Sequence, residues 1–419
     1  MTFRNFTSHF PTLTSPYSIL DSQPPAAINR MANHSIGSSA GSPPSSHNRL
    51  ILAGQLAFFP TGILTTLLGP MLPILIARWT LSDTQAGNLF LIQFLSSLVG
   101  VQLSGWLLSR LGFRPAFLLG LLLMALGTGI LLMGSVGLGM VSVAIYGLGL
   151  GLIVPSDNLL IAEISSTSRS GAVSLLNFFW GTGAVFCSLM VAWAAAHRAL
   201  PIFLGAVSAL LILLAAGMRG LPFPVVASSA ERANWKELAC SPTIWLFAAV
   251  FFLYPGAETA VGGWIGSYVS RLGGAREASI APLMPAFFWA ALTLGRGLGS
   301  ILLAHAPERR VLRVGFATAS AGILLMLLST ALPGVITGAL ITGLSYATLY
   351  PITVARLSHS FGVTARSIGA AMFSLASIGP AVIPWMVGIT SQTTGSLRAG
   401  LSLPLAATVI LFLIHLRDW

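Results

Sequence analysis

The chain has 419 residues, of which 55% are hydrophobic and only 7% are charged, and its formal net charge is +11. Soluble proteins carry charge on roughly a quarter of their residues, so this composition excludes a water-soluble fold and indicates a protein embedded in lipid. The basic residues stand singly or in pairs between apolar runs, which is typical of membrane topology and not of nucleic-acid binding. No metal or cofactor is expected, because Cys187 and Cys240 form neither a CxxC motif nor a metal-ligand spacing.

The chain begins with a polar segment. Residues 1–48 are rich in Ser, Pro, Asn and Thr and show no sustained periodicity, which predicts a disordered N-terminal tail. No signal peptide is expected, because the first apolar run starts near Leu50 and is too long for the hydrophobic region of one.

From Leu50 onward, about twelve apolar segments are long enough to span a bilayer. They cover residues 50–77, 85–108, 115–134, 138–162, 171–196, 199–218, 243–270, 281–304, 312–331, 334–357, 368–392 and 399–416. The longest connector follows the sixth segment. We therefore predict an all-α integral membrane protein with one six-helix bundle at 49–219, a cytoplasmic linker at 220–241 and a second six-helix bundle at 242–419.

The distribution of the basic residues predicts the orientation, because cytoplasmic loops carry an excess of Lys and Arg. With the N-terminus inside, Arg296 lies within a span and most of the other Lys and Arg residues fall on the cytoplasmic side. The basic residues left outside are Arg78, Arg198, Arg271, Arg276 and Arg398. Both termini are therefore predicted to be cytoplasmic.

The two halves repeat one pattern weakly. A proline, an arginine and a glycine follow one another at nearly the same spacing in the fourth–fifth and tenth–eleventh segments; they are Pro155, Arg169 and Gly183, then Pro351, Arg366 and Gly379. Internal repetition of this kind is typical of secondary transporters, whose substrate site lies at the midplane between the repeats.

Several polar side chains interrupt the apolar run between Gly147 and Val185. Asp157, Asn158 and Asn177 are costly in lipid unless they face protein or a water-filled cavity. This hairpin is therefore predicted to line an aqueous pathway, which indicates a transporter.

Glu258 lies near the middle of the seventh segment, roughly 24 Å along it. Three roles fit a carboxyl group at this depth. It exchanges a proton as access alternates, it accepts hydrogen bonds from a hydroxylated substrate, or it forms a fixed ion pair with Arg296 that holds helices together.

The other charged residues of the spans have two readings each. Asp157 is either a second protonation site or a cytoplasmic-gate partner of Arg110 or Arg169. Glu163 is expected in a structural salt bridge beside the cytoplasmic loops. Arg296 is favoured as a structural partner, since glycines surround it, with binding of an anionic substrate group as the alternative.

A further set has the chemistry of a sugar site, with amides for hydroxyl groups and aromatic faces for the apolar side of the ring. The alternative for each tryptophan is a place in the interfacial belt. The set consists of Gln93, Asn158, Asn177, Trp180, Tyr254, Trp264 and Trp289.

The twelve-segment array resembles the major facilitator superfamily. The loop after the second segment is similar to that superfamily's G-x-L-a-D-R-x-G-R motif, with Ser109 in place of the Asp; the matching residues are Gly105, Leu108, Arg110, Gly112 and Arg114. The resemblance implies a gating role for Arg110 and Arg114, although the charge relay that uses the Asp is not carried over.

Within that superfamily, the chain is similar to the fucose-permease-like branch of sugar:cation symporters. The resemblance is carried by Pro155, Asn158, Ala162-Glu163, Leu176-Asn177-Phe178, Gly181-Thr182-Gly183-Ala184, Gly256-Ala257-Glu258, Gly262-Gly263-Trp264 and Leu294-Gly295-Arg296. Two positions where proton-coupled members carry carboxylates correspond to Gly69 and Val154 here, so their mode of coupling is not implied.

These observations predict a secondary carrier that moves a small hydroxylated solute, a sugar above all, by alternating access. Coupling to H⁺ or Na⁺ remains open. The alternatives are an efflux antiporter for an amphipathic compound and a non-transporting membrane sensor. No HExxH, structured GxSxG or GxxxxGK[ST] motif supports an enzyme or an ATP-driven pump. A multi-pass monomer in the plasma (inner) membrane is expected.

Overall fold

The computed structural model describes residues 46–131, 133–165, 169–224, 241–361 and 365–416. Of the polar N-terminal tail, residues 1–45 lie outside this part, as do residues 225–240 of the connector between the halves. The described residues form helices joined by short turns, and they contain no strand.

The helices carry the following bounds: α1 Ser46–Thr66, α2 Leu68–Trp79, α3 Asp83–Leu111, α4 Phe113–Leu131, α5 Val136–Ile164, α6 Arg169–Ala196, α7 Leu200–Met218, α8 Pro242–Ser270, α9 Ala275–Ile280, α10 Met284–His305, α11 Glu308–Leu328, α12 Leu332–Tyr346, α13 Leu349–Phe361, α14 Ala365–Thr394, α15 Leu397–Gly400 and α16 Ser402–Leu416. A 3₁₀ turn, Ala281–Leu283, joins α9 to α10.

Together these helices form 12 membrane-spanning segments by length and apolar composition, which confirms the predicted all-α transmembrane class. We number them span 1 to span 12. Four spans are built from two helices: span 1 from α1 and α2, span 8 from α9 and α10, span 10 from α12 and α13, and span 12 from α15 and α16. Each predicted segment corresponds to one span.

Local chemistry sets several helix ends. Ser82 and Gln85 form a capping box at the start of span 2, because the Ser82 hydroxyl accepts from the Gln85 N–H and the Gln85 side chain accepts from the Ser82 N–H. Pro201, Pro242 and Pro333 stand in the first turn of their helices, where the missing N–H has no partner to lose.

Glycines bring the spans close together within each half. The α-carbon of Gly147 in span 4 faces the Gln93 carbonyl of span 2, and that of Gly343 in span 10 faces the Phe288 carbonyl of span 8. A methyl group does not fit at either place. Small residues let transmembrane helices approach backbone to backbone. In lipid no hydrophobic effect drives helices together, and the van der Waals contacts of such close packing stabilise their association instead.

The first six and last six spans meet most extensively along three helix pairs. Span 1 packs on span 7, span 2 on span 11, and span 5 on span 8. Because consecutive spans are antiparallel, the molecule has two ends. We call them the Asp83 end, where span 2 begins, and the Arg110 end, where span 2 finishes.

Candidate functional site

A cavity of about 500 Å³ of empty space, part of it continuous with solvent, lies between the two halves. Spans 1, 2 and 5 form one side, and spans 7 and 8 form the other. Its lining consists of Thr65, Thr66, Gly69, Phe90, Phe94, Trp180, Pro255, Glu258, Thr259, Gly262, Gly263 and Trp289. The cavity therefore combines hydroxyl groups, aromatic rings and one carboxyl group at the interface of the halves.

The regular helical hydrogen bonding of span 1 lapses for one residue beside this wall, at Leu67, whose backbone angles stay helical. Helix α1 ends at Thr66 and α2 begins at Leu68, and Thr65, Thr66 and Gly69 beside the break line the cavity. Gln93 of span 2 donates to the Thr65 carbonyl at 3.0 Å, so a neighbouring span satisfies the backbone next to the break.

Glu258 is 9% exposed and borders the cavity. The Arg296 guanidinium of span 8 lies beside it, with 3.9 Å between Arg296 Nη2 and Glu258 Oε1. The expected ion pair between these residues is therefore present, but its length exceeds that of a hydrogen bond. The two side chains neutralise each other without locking together.

Trp180 and Trp289 form an aromatic pair across the boundary between the halves. Their ring centroids are 5.6 Å apart in an edge-to-face arrangement, and the Arg296 guanidinium lies over the Trp180 ring at 5.4 Å. Gly181 makes this approach possible, because a methyl group there would overlap the Thr293 side chain of span 8. The pair thus joins span 5 to span 8 at the cavity wall.

Three residues of the predicted sugar set are buried behind the cavity surface. Gln93 accepts from the Tyr146 hydroxyl at 2.9 Å in addition to its bond to span 1. Tyr254 donates to the Tyr346 carbonyl at 3.0 Å, and Trp264 donates to the Pro384 carbonyl at 3.0 Å. Their polar groups hold helices together in this conformation, so their predicted contact with solute stays a prediction.

The two asparagines of the set lie on spans 4 and 5. Asn158 is half-buried and donates to the Val154 carbonyl of its own helix at 2.8 Å. Asn177 is half-buried and donates to the Val173 carbonyl at 2.8 Å. Both amides lie outside the cavity wall described above, and their binding roles also stay predictions.

Asp157 is completely buried, and neither of its carboxyl oxygens has a hydrogen-bond partner among the described residues. It packs against Gly54 of span 1, where an added Cβ would lie 2.6 Å from Asp157 Oδ1. The proposed pair with Arg110 does not form in this conformation, and the Arg169 side chain lies outside the description.

The remaining predicted gating residues lie toward the Arg110 end. Glu163 is exposed at the end of span 4, next to residues 166–170, whose side chains are outside the description. Arg110 is exposed. Arg114 donates to the Leu221 carbonyl at 2.7 Å and lies 5.9 Å from the Phe223 ring, so it ties the start of span 3 to the segment after span 6.

The Asp83 end holds a polar network that sequence reasoning missed. Arg271 at the end of span 7 donates through both terminal nitrogens to the Asp83 carboxylate, and Ser391 of span 11 donates to it at 2.6 Å. The Gln392 side chain accepts from the Asp83 N–H at 3.1 Å. The network joins one residue of the first half to two spans of the second.

Asn88 and Trp385 extend this contact between spans 2 and 11, since the Trp385 indole donates to Asn88 Oδ1 at 3.0 Å. Gly87 and Gly388 allow it, because side chains there would meet the backbone of the opposite span. The Ser82-x-x-Gln85 capping box indicates from the sequence where span 2 begins. No local sequence pattern indicates that Asp83 pairs with Arg271 and Ser391, which are remote in the sequence.

Twelve membrane-spanning helices around a partly polar cavity define the class of multi-pass membrane transporters. Comparison with known proteins gives the same answer. The family model of the Major Facilitator Superfamily matches residues 56–384, and the chain belongs to that superfamily. It is therefore a multi-pass membrane transporter and not an enzyme, as the sequence predicts.

Relatives of known sequence or structure are distant. The chain is 24% identical over 347 residues to an uncharacterized MFS-type transporter of Yersinia pestis, covering 81% of this chain and 88% of that one. The E. coli fucose:proton symporter superimposes with a TM-score of 0.63 at 18% identity, covering 88% of this chain and 98% of the symporter.

A bacterial homolog of the human lysosomal transporter Spinster, in an inward-facing and unoccupied conformation, gives a TM-score of 0.71 at 15% identity, with 90% of this chain and 98% of the other covered. The fold resemblance predicted from the sequence is thus confirmed. The substrate does not follow from identities this low.

Proposed function

We propose that this protein is a secondary carrier that moves a small hydroxylated solute, with sugars as the leading class, by alternating access. The observation that carries the proposal is the cavity between the halves, where Glu258, Thr65 and Thr259 offer polar contacts next to the faces of Trp180 and Trp289. Hydroxyl groups need such polar partners, and the apolar side of a sugar ring packs on aromatic faces. The likeness to a fucose:proton symporter supports this choice.

Glu258 is the proposed proton-coupling group. It is buried near the cavity, and its ion pair with Arg296 is long. Burial favours the protonated, neutral form of Glu258, whereas the nearby guanidinium favours the ionised form, so a change in the position of Arg296 changes the affinity of Glu258 for a proton. A proton is the proposed coupling ion, because Glu258 is the carboxyl group of the cavity wall, and Na⁺ is the alternative. Asp157 is proposed as a second proton-binding position.

The cellular setting belongs to the same proposal. We place the protein in the plasma (inner) membrane as a monomer, with residues 49–219 and 242–419 as the two bundles and both termini in the cytoplasm. The excess of Lys and Arg on the Arg110 side supports this orientation. In this orientation, the Asp83 network closes the outer end of the pathway.

Transport in proteoliposomes tests the function. The purified protein is expected to accumulate labelled hexoses or hexose acids against their concentration gradient when the solution outside the vesicles is more acidic than the solution inside. In Glu258→Gln, accumulation is expected to disappear while exchange of solute for solute persists, because the amide does not carry the proton. Glu277→Gln, the same chemical change on the short helix Ala275–Ile280, serves as the control.

Accumulation by Glu258→Gln equal to that of the unmodified protein would remove Glu258 from coupling. Absence of flux for every solute would leave the sensor hypothesis, provided that solutes still bind.

Efflux of an amphipathic compound is the second candidate. Phe90 and Phe94 of span 2 line the cavity beside the two tryptophans, which gives an apolar solute a large contact surface. The same vesicles distinguish the candidates, because an antiporter expels the solute when the pH gradient is imposed, whereas a symporter accumulates it.

A further inference from the structure

Two buried N–H donors next to the cavity have no acceptor among the described residues. They are Nε1 of Trp289, which lines the cavity, and Nε of Arg296, whose guanidinium lies 3.9 Å from the cavity-lining Glu258. A buried donor without a partner is costly and therefore rare in native proteins. Because both unsatisfied groups are donors, a ligand bound beside them needs to supply a hydrogen-bond acceptor.

Arg296 lies over an aromatic ring, and its ion pair with Glu258 is too long to be a hydrogen bond. Its guanidinium lies 5.4 Å from the Trp180 ring centroid, and the nearest Glu258 oxygen is 3.9 Å from its Nη2. A cation–π contact with tryptophan holds the guanidinium in position without using any of its N–H donors. The planar fork of the guanidinium is thus left available for a bidentate acceptor.

We propose that the transported solute carries a carboxylate, which Arg296 binds while the Trp289 indole donates to the same group. The proposal rests on the carrier function above and narrows its substrate class from hydroxylated solutes to hydroxylated acids, such as sugar acids. The hydroxyl groups of the solute then face Thr65 and Thr259, and its ring or chain packs on Trp180. A single guanidinium matches the single negative charge of a carboxylate.

The carboxylate of the solute also changes the state of Glu258. Once Arg296 pairs with the solute, Glu258 has lost its cation and takes up a proton, so that one proton accompanies one acid. The other titratable groups within electrostatic reach are the hydroxyls of Tyr254 on the same span and of Tyr346 and Tyr350 on span 10, and none of them supplies a positive charge. Coupling and recognition thus share one arginine.

Matched pairs of ligands test the proposal by equilibrium binding to the purified full-length protein: glucuronate against glucose, galacturonate against galactose, and gluconate against sorbitol. At least one acid is expected to bind about tenfold or more tightly than its neutral partner, as for a charge-assisted bidentate contact. Arg296→Gln is expected to abolish this preference, and Trp289→Phe to reduce it while the aromatic packing stays. Arg276→Gln, at an exposed position, is expected to leave it unchanged.

If no acid exceeds its neutral partner, or if Arg296→Gln keeps the preference, the proposal is wrong. Should Arg296→Gln fail to fold, Arg296→Lys replaces it, because a point charge without the fork must lower the preference for acids. Failure of the carrier function looks different: acids bind with the expected preference but no solute crosses the vesicle membrane. Flux of neutral sugars without any preference for acids overturns only the inference about the acid.

Discussion

Asp157 has the most unusual surroundings of any charged residue in the described spans. Both of its oxygens are buried without a hydrogen-bond partner among the described residues, and Gly54 of span 1 packs against it. An ionised carboxylate in such a place would cost many kcal/mol, so we expect the residue to be protonated in this conformation. A protonated carboxyl group in this place fits the proposed second proton-binding position.

This assignment predicts that Asp157→Asn barely changes stability. The amide has the shape of the protonated acid, so the free energy of unfolding should change by less than about 1.5 kcal/mol. Thermal unfolding of the purified protein in detergent measures it. Asp83→Asn, which removes a paired charge, is the matched comparison and should lower the unfolding temperature. A loss of about 3–5 kcal/mol in Asp157→Asn would instead reveal a buried ionic partner.

Sequence reasoning identifies some site residues and misses others for a physical reason. Glu258, Trp180 and Trp289 are predictable because their cost or size in a lipid-spanning segment needs an explanation. Gln93 and Trp264 satisfy the same criterion, yet their polar groups bond to neighbouring spans. Which side of a helix faces a cavity depends on the packing of other helices, and one sequence does not contain that information.

The threonines of span 1 are missed for the opposite reason. Thr65 and Thr66 each donate to a carbonyl of their own helix at 2.7 and 2.9 Å, so threonine is inexpensive in a membrane span and attracts no attention. Their place at the cavity is shown by the cavity lining and not by any feature of the sequence.

At the scale of helices, the repeat predicted from Pro155 and Pro351 has a structural counterpart. The α-carbon of Gly183 in span 5 faces the Phe59 carbonyl of span 1, and that of Gly379 in span 11 faces the Phe252 carbonyl of span 7. When the halves are aligned without gaps on the two prolines, these glycines coincide. In the same alignment, Gly62 of the first half corresponds to Glu258 of the second half. The carboxyl group of the candidate site is therefore present in one half only.

Gly183→Ala and Gly379→Ala are therefore expected to destabilise the protein to a similar extent, because each new methyl group would overlap a carbonyl oxygen. Forced overpacking of this kind typically costs about 1–3 kcal/mol. Gly205→Ala in span 6 is the control: nothing lies within 4 Å of the added carbon, and alanine lowers the entropy of the unfolded chain. The melting temperatures of the three variants test this expectation. Equal melting temperatures for all three would contradict the close approach of Gly183 and Gly379 to the carbonyl groups of the neighbouring spans.

At the scale of the whole molecule, the two ends differ in how the halves are joined. At the Asp83 end, a carboxylate, a guanidinium, a hydroxyl and an amide connect span 2 to spans 7 and 11. On the Arg110 side of the cavity, the contact between the same spans 2 and 11 includes a hydrogen bond of 3.3 Å between the exposed Gln102 side chain and the half-buried Ser374 side chain. We therefore expect the Asp83 network to act as a latch at this end, which must open during the proposed alternating access.

Asp83→Asn tests the latch. The variant keeps the shape of the side chain but loses the charge that binds Arg271, and hydrogen bonds to charged groups contribute about 1.5–3 kcal/mol. The population open at this end should rise roughly tenfold or more, since about 1.4 kcal/mol corresponds to a factor of ten. Spin labels at Thr80 and Thr394, both exposed near this end, report the opening as a longer distance in a background lacking Cys187 and Cys240.

The same labels in Glu277→Gln should show the distances of the unmodified protein, because Glu277 has no part in the network. Arg271→Gln should reproduce the effect of Asp83→Asn, and the double variant should add little, since both changes break one interaction. If Asp83→Asn leaves the distance distribution unchanged, other contacts between spans 2 and 11, such as that of Asn88 with Trp385, hold this end closed on their own.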